Sequence, residues 1–313
     1  MQSNSAQTTL AQTVKPTLQN WLEAAAIVLI WTAFIVSSRM AIKKAFTPYD
    51  MMFLRFGFAA LAAGCVVAWR ASQQQSLFGE VPLSRMLFLG AFGGLGMSCI
   101  AFLGFSFSPA AHAAVLMPGT LPFSTAILTW AVLGEKIAGR KAVGLGLILL
   151  GVLFMAYQAF YGAVVGAGDH ANVWKGDVLF PMASSCWAVY SVYCRKWAIK
   201  PLDAIVITPI VAFIAFTPFY IALAPKMIGV IPLEQTLLNG AFQGWFAFML
   251  STWLFMRVMR AFGPLKTTML TAWAPALSAL IAVPLLGEPL SFLVVAGLVA
   301  VSAGTVVGVL PKR

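Results

Sequence analysis

The ionisable and nucleophilic side chains of this 313-residue chain are few, and their positions exclude most chemistry. All nine acids (Glu23, Asp50, Glu80, Glu135, Asp169, Asp177, Asp203, Glu234 and Glu288) fall in the N-terminal tail, in loops or at the ends of apolar stretches. None sits mid-stretch, where a proton relay across a membrane would use one. His112 is the one histidine of the two inside an apolar stretch. An ionisable group there is a functional candidate by default, against the plainer role of a neutral imidazole bonded to a neighbouring helix. His170 lies in a polar linker and reads as solvated. The four cysteines, Cys65, Cys99, Cys186 and Cys194, form no CxxC pair and read as reduced packing residues. No His/Asp/Glu cluster suits a catalytic or metal centre, and no Walker motif is present. No catalytic residue, metal or cofactor is expected. A net charge of +11 raises nucleic acid as a partner, but the basic residues are spread over the ends of apolar stretches, so nucleic acid is not expected.

What remains is recognition by aromatic, hydroxyl and backbone groups. Trp31 and Ser38 share one apolar stretch, and Trp187 and Tyr190 another. Both tryptophans lie near mid-stretch, away from the headgroup level where tryptophan usually anchors. Trp273 is a weaker candidate of the same kind, with Trp245 and Trp253. Pro118, Pro122 and Pro275 each free a carbonyl four residues back and kink a helix, and such breaks expose backbone to substrate in transporters. Arg39, Asp50 and Arg55 are costly in an apolar setting unless paired. Arg39 is within reach of Asp50 across the first turn, and these charges read as structural locks. Glu135 and Glu288, each just before an apolar stretch, read as caps on the following helix.

The elements that must hold these residues are membrane helices. The chain is 61% hydrophobic and 9% charged, with mean hydropathy +0.90, whereas about a quarter of a soluble domain is charged. The apolar runs are continuous, which excludes a β-barrel, and reach about 20 residues, enough to span a bilayer. Ten spans are predicted, near 22–42, 50–70, 85–107, 110–133, 141–161, 175–197, 203–224, 236–259, 265–286 and 291–310. With the N-terminus inside, fourteen Lys and Arg fall in cytoplasmic segments and four outside, so both termini are expected in the cytoplasm.

The chain also repeats itself. Leu133-Gly134-Glu135 returns as Leu286-Gly287-Glu288, 153 residues on. At that offset Asp50 matches Asp203, Pro122 matches Pro275, Gly144 matches Gly297 and Gly151 matches Gly304. Trp31 matches Trp187 and Arg39 matches Arg195 at an offset of 156. This is an internal duplication, and five spans per half, an odd number, make the second copy enter the membrane from the other side. The pseudo-axis should put Trp31 and Trp187 at similar depth on opposite walls. The fold class is an all-α membrane protein of two inverted five-helix repeats. Its parts are a polar tail over 1–20, a first repeat over 21–161, a linker over 162–174 and a second repeat over 175–310.

These motifs, with the Pro48-Tyr49-Asp50 turn leading to Phe53-Leu54-Arg55-Phe56 and with Pro118 and Pro122 in span 4, resemble the EamA-type branch of the drug/metabolite transporter superfamily. Among its members the chain is most similar to bacterial exporters of amino acids, aromatic ones included. The resemblance implies a multi-pass inner-membrane protein with a central cavity lined by spans 1, 3, 4, 6, 8 and 9, spans 5 and 10 lying outside. Glycines in spans 5 and 10 independently suit close helix packing. The expected partners are a small-molecule substrate and the lipid bilayer, and a monomer is compatible with this reading. The rival substrates are cationic drugs or other metabolites. The rival class is a membrane-embedded enzyme, for which no catalytic cluster is visible.

Overall fold

The computed structural model describes residues 17–137, 139–165, 172–274, 277 and 292–309. Among them the regular structure is helical, beside one isolated bridge between Ile228 and Ile231. The helices are α1 (Leu18–Lys44), α2 (Pro48–Ser72), α3 (Leu83–Phe107), α4 (Ala110–Leu133), α5 (Gly139–Val165), α6 (Val173–Lys196), α7 (Pro201–Ala222), α8 (233–262), α9 (Pro264–Thr271) and α10 (Phe292–Val309). Among the described residues, helices α1, α2, α3 and α7, with His112–Leu133 of α4 and Gly139–Tyr157 of α5, are long and apolar enough to cross a membrane.

Local chemistry sets the helix ends. Thr47 and Asp50 form a capping box at the start of α2, with Pro48 in the first helical turn. Gly134 ends α4 in the left-handed conformation (φ 67°), its N–H donating to the Trp130 carbonyl at 3.1 Å. The glycine of the first Leu-Gly-Glu triplet is therefore a helix stop. The second triplet, with Glu288, lies outside the described residues.

Two helices change winding. Gly90–Gly96 in α3 and Phe242–Leu250 in α8 are π-helical. Shifted by the repeat offset, 90–96 becomes 243–249, so both copies carry the same irregularity. Glycines let neighbours approach there: a Cβ on Gly94 would lie 2.7 Å from the Ala212 Cβ of α7, and one on Gly244 would lie 2.8 Å from the Ala59 nitrogen of α2. A π-turn inside an α-helix frequently marks a functional site.

Repeat-equivalent helices run antiparallel. Asp50, at the start of α2, accepts from Tyr220 at the end of α7 at 2.6 Å. Asp203, at the start of α7, accepts from Arg70 at the end of α2, also at 2.6 Å. Helices α5 and α10 cross on their glycines: a Cβ on Gly144 would lie 2.6 Å from the Gly304 carbonyl oxygen, and one on Gly151 equally close to that of Gly297. Such contact leaves no room for any side chain and lets the backbones pack by van der Waals attraction. Their other faces expose Leu149, Leu150, Leu153, Val299 and Val306, as lipid-facing surfaces do. The interior is occupied mainly by two large apolar clusters, one around Trp187, Phe255 and Met259 and one around Phe56, Phe102 and Phe105, with a small third around Ala59 and Phe248.

Candidate functional site

Between α1, α2, α3, α4, α6 and α8 lies a cavity of about 40 Å³, room for roughly three waters. Helix α1 supplies Trp31, Phe34 and Ile35; α4 supplies Met117, Pro118 and Leu121; α6 supplies Ser184 and Trp187. Met97 of α3 and Ala247 and Ser251 of α8, at or beside the π-turns, complete the wall with Arg55 of α2. Next to Pro118, the Met117 carbonyl accepts from Ser184 Oγ at 2.6 Å.

Trp31 and Trp187 do not stand on opposite walls as pseudo-symmetry suggested. Their ring centroids lie 6.0 Å apart at 81°, edge to face. Phe255 stacks on Trp31 at 5.7 Å and meets Trp187 at 5.4 Å. Equivalence under the pseudo-axis fixes depth, but the reach of two indoles is enough to close the gap between their helices. Trp187 is 4% exposed, and its indole N–H has no hydrogen-bond partner. Tyr190 lies behind it with centroids 5.0 Å apart, fully buried and away from the cavity.

Arg55 is 2% exposed at the cavity wall. Its guanidinium lies 4.9 Å from the Phe34 ring centroid and 4.7 Å from that of Phe248. Nη1 donates to the Gln243 carbonyl at 3.4 Å and to Gln243 Oε1 at 3.3 Å, and Nη2 donates to the Ala247 carbonyl at 3.4 Å. Both carbonyls belong to the π-turn of α8. The side chain of Gln243 in turn donates to Ser38 Oγ at 3.0 Å, which places Ser38 one shell behind the cavity. Among the described residues Arg55 Nε has no partner, and no carboxylate pairs with this arginine. Arg55, expected from the sequence as a structural charge, thus also stands on the cavity wall. The available signal was an arginine whose repeat equivalent, Thr208, is uncharged.

Other expected residues go elsewhere. His112 Nδ1 lies 2.8 Å from Asp177 Oδ1, which also accepts from Ser108 Oγ at 2.7 Å. This ties α4 to α6 beside the α3–α4 turn, outside the cavity wall. Arg39 and Asp50 do not pair. Arg39 donates to the Phe105 carbonyl on α3, while Asp50 is saturated by the Thr47 N–H at 2.9 Å, the Tyr220 hydroxyl and the Met227 N–H at 3.1 Å. Glu135 accepts from Arg195 of α6 at 3.2 Å, so its bond joins the two halves and is not a cap on the next helix. Trp273 is 38% exposed and off the cavity wall, so the described part of span 9 contributes nothing to it. Pro122 is also absent from the wall, and Pro275 lies outside the described residues.

Antiparallel duplicated halves enclosing a buried cavity define a membrane transporter. The chain belongs to the EamA-like transporter family, whose model matches residues 21–157 and again 174–310. It is 24% identical over 267 residues to the uncharacterized transporter YyaM of Bacillus subtilis (strain 168), covering 83% of each chain. A solved crystal structure shares the fold with a TM-score of 0.67 at 19% identity, over 93% of this chain and 96% of that one.

Proposed function

We propose that this transporter exports small organic metabolites, most of all neutral and aromatic amino acids, from the cytoplasm across a bacterial inner membrane. The carrying observation is the aromatic cavity between the halves, where Trp31, Phe34 and Trp187 offer faces and edges to an apolar or aromatic side chain. Ser184, Ser251 and the unpartnered Trp187 N–H supply the few polar contacts that orient a ligand. Ten spans with both termini cytoplasmic would let one half rock against the other and open the cavity to each side in turn. At about 40 Å³ the cavity is smaller than an aromatic side chain, so admission of substrate includes movement of its walls. Transport is passive, driven by the substrate's own gradient, because a zwitterion carries no net charge for the membrane potential to act on.

Counterflow in proteoliposomes tests this directly, with amino acids, sugars and viologens compared as external substrates. Exchange of aromatic and neutral amino acids without an ion gradient is the expected result. Exchange restricted to viologens would replace the substrate class, and absence of any flux would end the proposal.

A further inference from the structure

Arg55 presents an electrostatic problem that the fold leaves open. A guanidinium deep in a membrane protein is costly unless a counter-charge or water compensates it. Asp50, Asp177, Asp203, Glu23 and Glu135 are all engaged elsewhere. What faces Arg55 is two aromatic rings and three neutral oxygens at 3.3–3.4 Å. Those bonds are long beside the 2.7–2.9 Å usual for a charged donor meeting a carboxylate. They position the guanidinium without satisfying it.

A second unsatisfied donor lies on the same wall. The buried indole N–H of Trp187 has no partner, like Arg55 Nε, and both residues line the cavity. The cavity therefore holds unpaired donors with a positive charge among them, and none of the ion pairs among the described residues involves Arg55. Such a site is complementary to an acceptor bearing negative charge, attached to an apolar body that can lie against Trp31 and Phe34.

From this geometry we infer that Arg55 is the receptor for a carboxylate on the transported molecule, with Trp187 Nε1 as the second donor. The inference rests on the proposal that the cavity is the transport site, and it names the group by which substrates are chosen. A carboxylate entering the cavity neutralises the guanidinium, and an amine entering without one meets an uncompensated like charge. Aromatic and aliphatic acids, amino acids among them, are accepted by this rule. Amides of the same shape lose the charge-assisted bonds, and cationic amines are rejected.

Isosteric ligands test the rule on the full-length protein in detergent, through quenching of tryptophan fluorescence. 3-Phenylpropionate should bind about tenfold or more tighter than 3-phenylpropionamide, as expected for hydrogen bonds to a charged group, and phenethylamine should bind no better than the amide. In Arg55→Met the acid should fall to the level of the amide while amide affinity stays within about twofold; Arg55→Lys should keep part of the preference, since a lysine retains charge without the planar fork. Equal binding of acid and amide by the native protein overturns the inference, whatever the variants do. So does a preference for the acid that survives in Arg55→Met, or failure of both ligands to bind. Counterflow separates the two claims: flux of amino acids without discrimination of acid from amide removes Arg55's role and keeps the transporter's substrate class. Discrimination in binding without flux does the reverse.

Discussion

At the residue scale, two kinds of buried polar group do different work. Asp203 and Arg70 form a paired charge with side chains 3% and 8% exposed. Removing one partner of such a pair strands the other, at about 3–5 kcal/mol. Asp203→Ala should therefore lower the detergent melting temperature sharply, and Arg70→Ala, Asp203→Ala together should recover part of the loss. A double variant no more stable than the sum of the single losses would show that the ion pair is not the cause. Trp31 and Trp187 are expected to act on substrate more than on folding. Either changed to Ala should reduce amino acid flux by up to about tenfold, the effect of losing an aromatic contact of about 0.5–1.5 kcal/mol, with membrane level near normal. Unchanged flux in both variants would remove the cavity from the transport path.

At the scale of elements, the duplicated glycines of α5 and α10 were legible from spacing alone, because close helix contact in lipid has few solutions other than small residues. Their effects should differ by position. Gly151→Leu would drive a side chain into the Gly297 carbonyl, whereas a Cβ on Gly146 meets nothing within 4 Å. The first substitution should disrupt folding or expression and the second leave thermal stability within about 0.5 kcal/mol. Similar behaviour of the two would contradict the packing described for this pair. The π-turns were not legible, since hydropathy does not separate π from α winding. Gln243 offered a trace, as an amide in an apolar run, but its bonds to Arg55 and Ser38 join positions 188 and 205 residues away. Whether a charge is paired or left facing a cavity is likewise decided by helices distant in sequence, which is why Arg55 passed for a lock and Arg39 was given the wrong partner.

At the scale of the whole molecule, duplication, helical class and family could be read directly from the sequence. The triplets, glycines and paired aspartates keep nearly constant offsets, and a repeat with an odd number of spans has one geometric consequence. Orientation in the membrane rests on the distribution of Lys and Arg. With native cysteines replaced, Glu80→Cys and Ile137→Cys should resist a membrane-impermeant thiol reagent applied outside intact cells, and Lys226→Cys should react. The opposite pattern would invert the assigned topology. Passive transport makes a separate demand: an imposed pH or sodium gradient should not drive substrate accumulation in liposomes. Uphill uptake would disprove it, with His112 and Asp177 as the first pair to replace.

The mismatch between Arg55 and its repeat equivalent, Thr208, bears on the history of the chain. A fused duplication can descend from one short gene whose product paired with an inverted copy of itself. Two first halves paired in that way today would aim two guanidiniums at one cavity, and two second halves would supply none. Only the mixed pair carries a single positive charge. The halves have thus become unlike partners with separate duties, and a return to self-pairing is closed by electrostatics. Expressed as two polypeptides cut between residues 165 and 172, first and second halves should reassemble with each other, while the first half alone should find no stable mate.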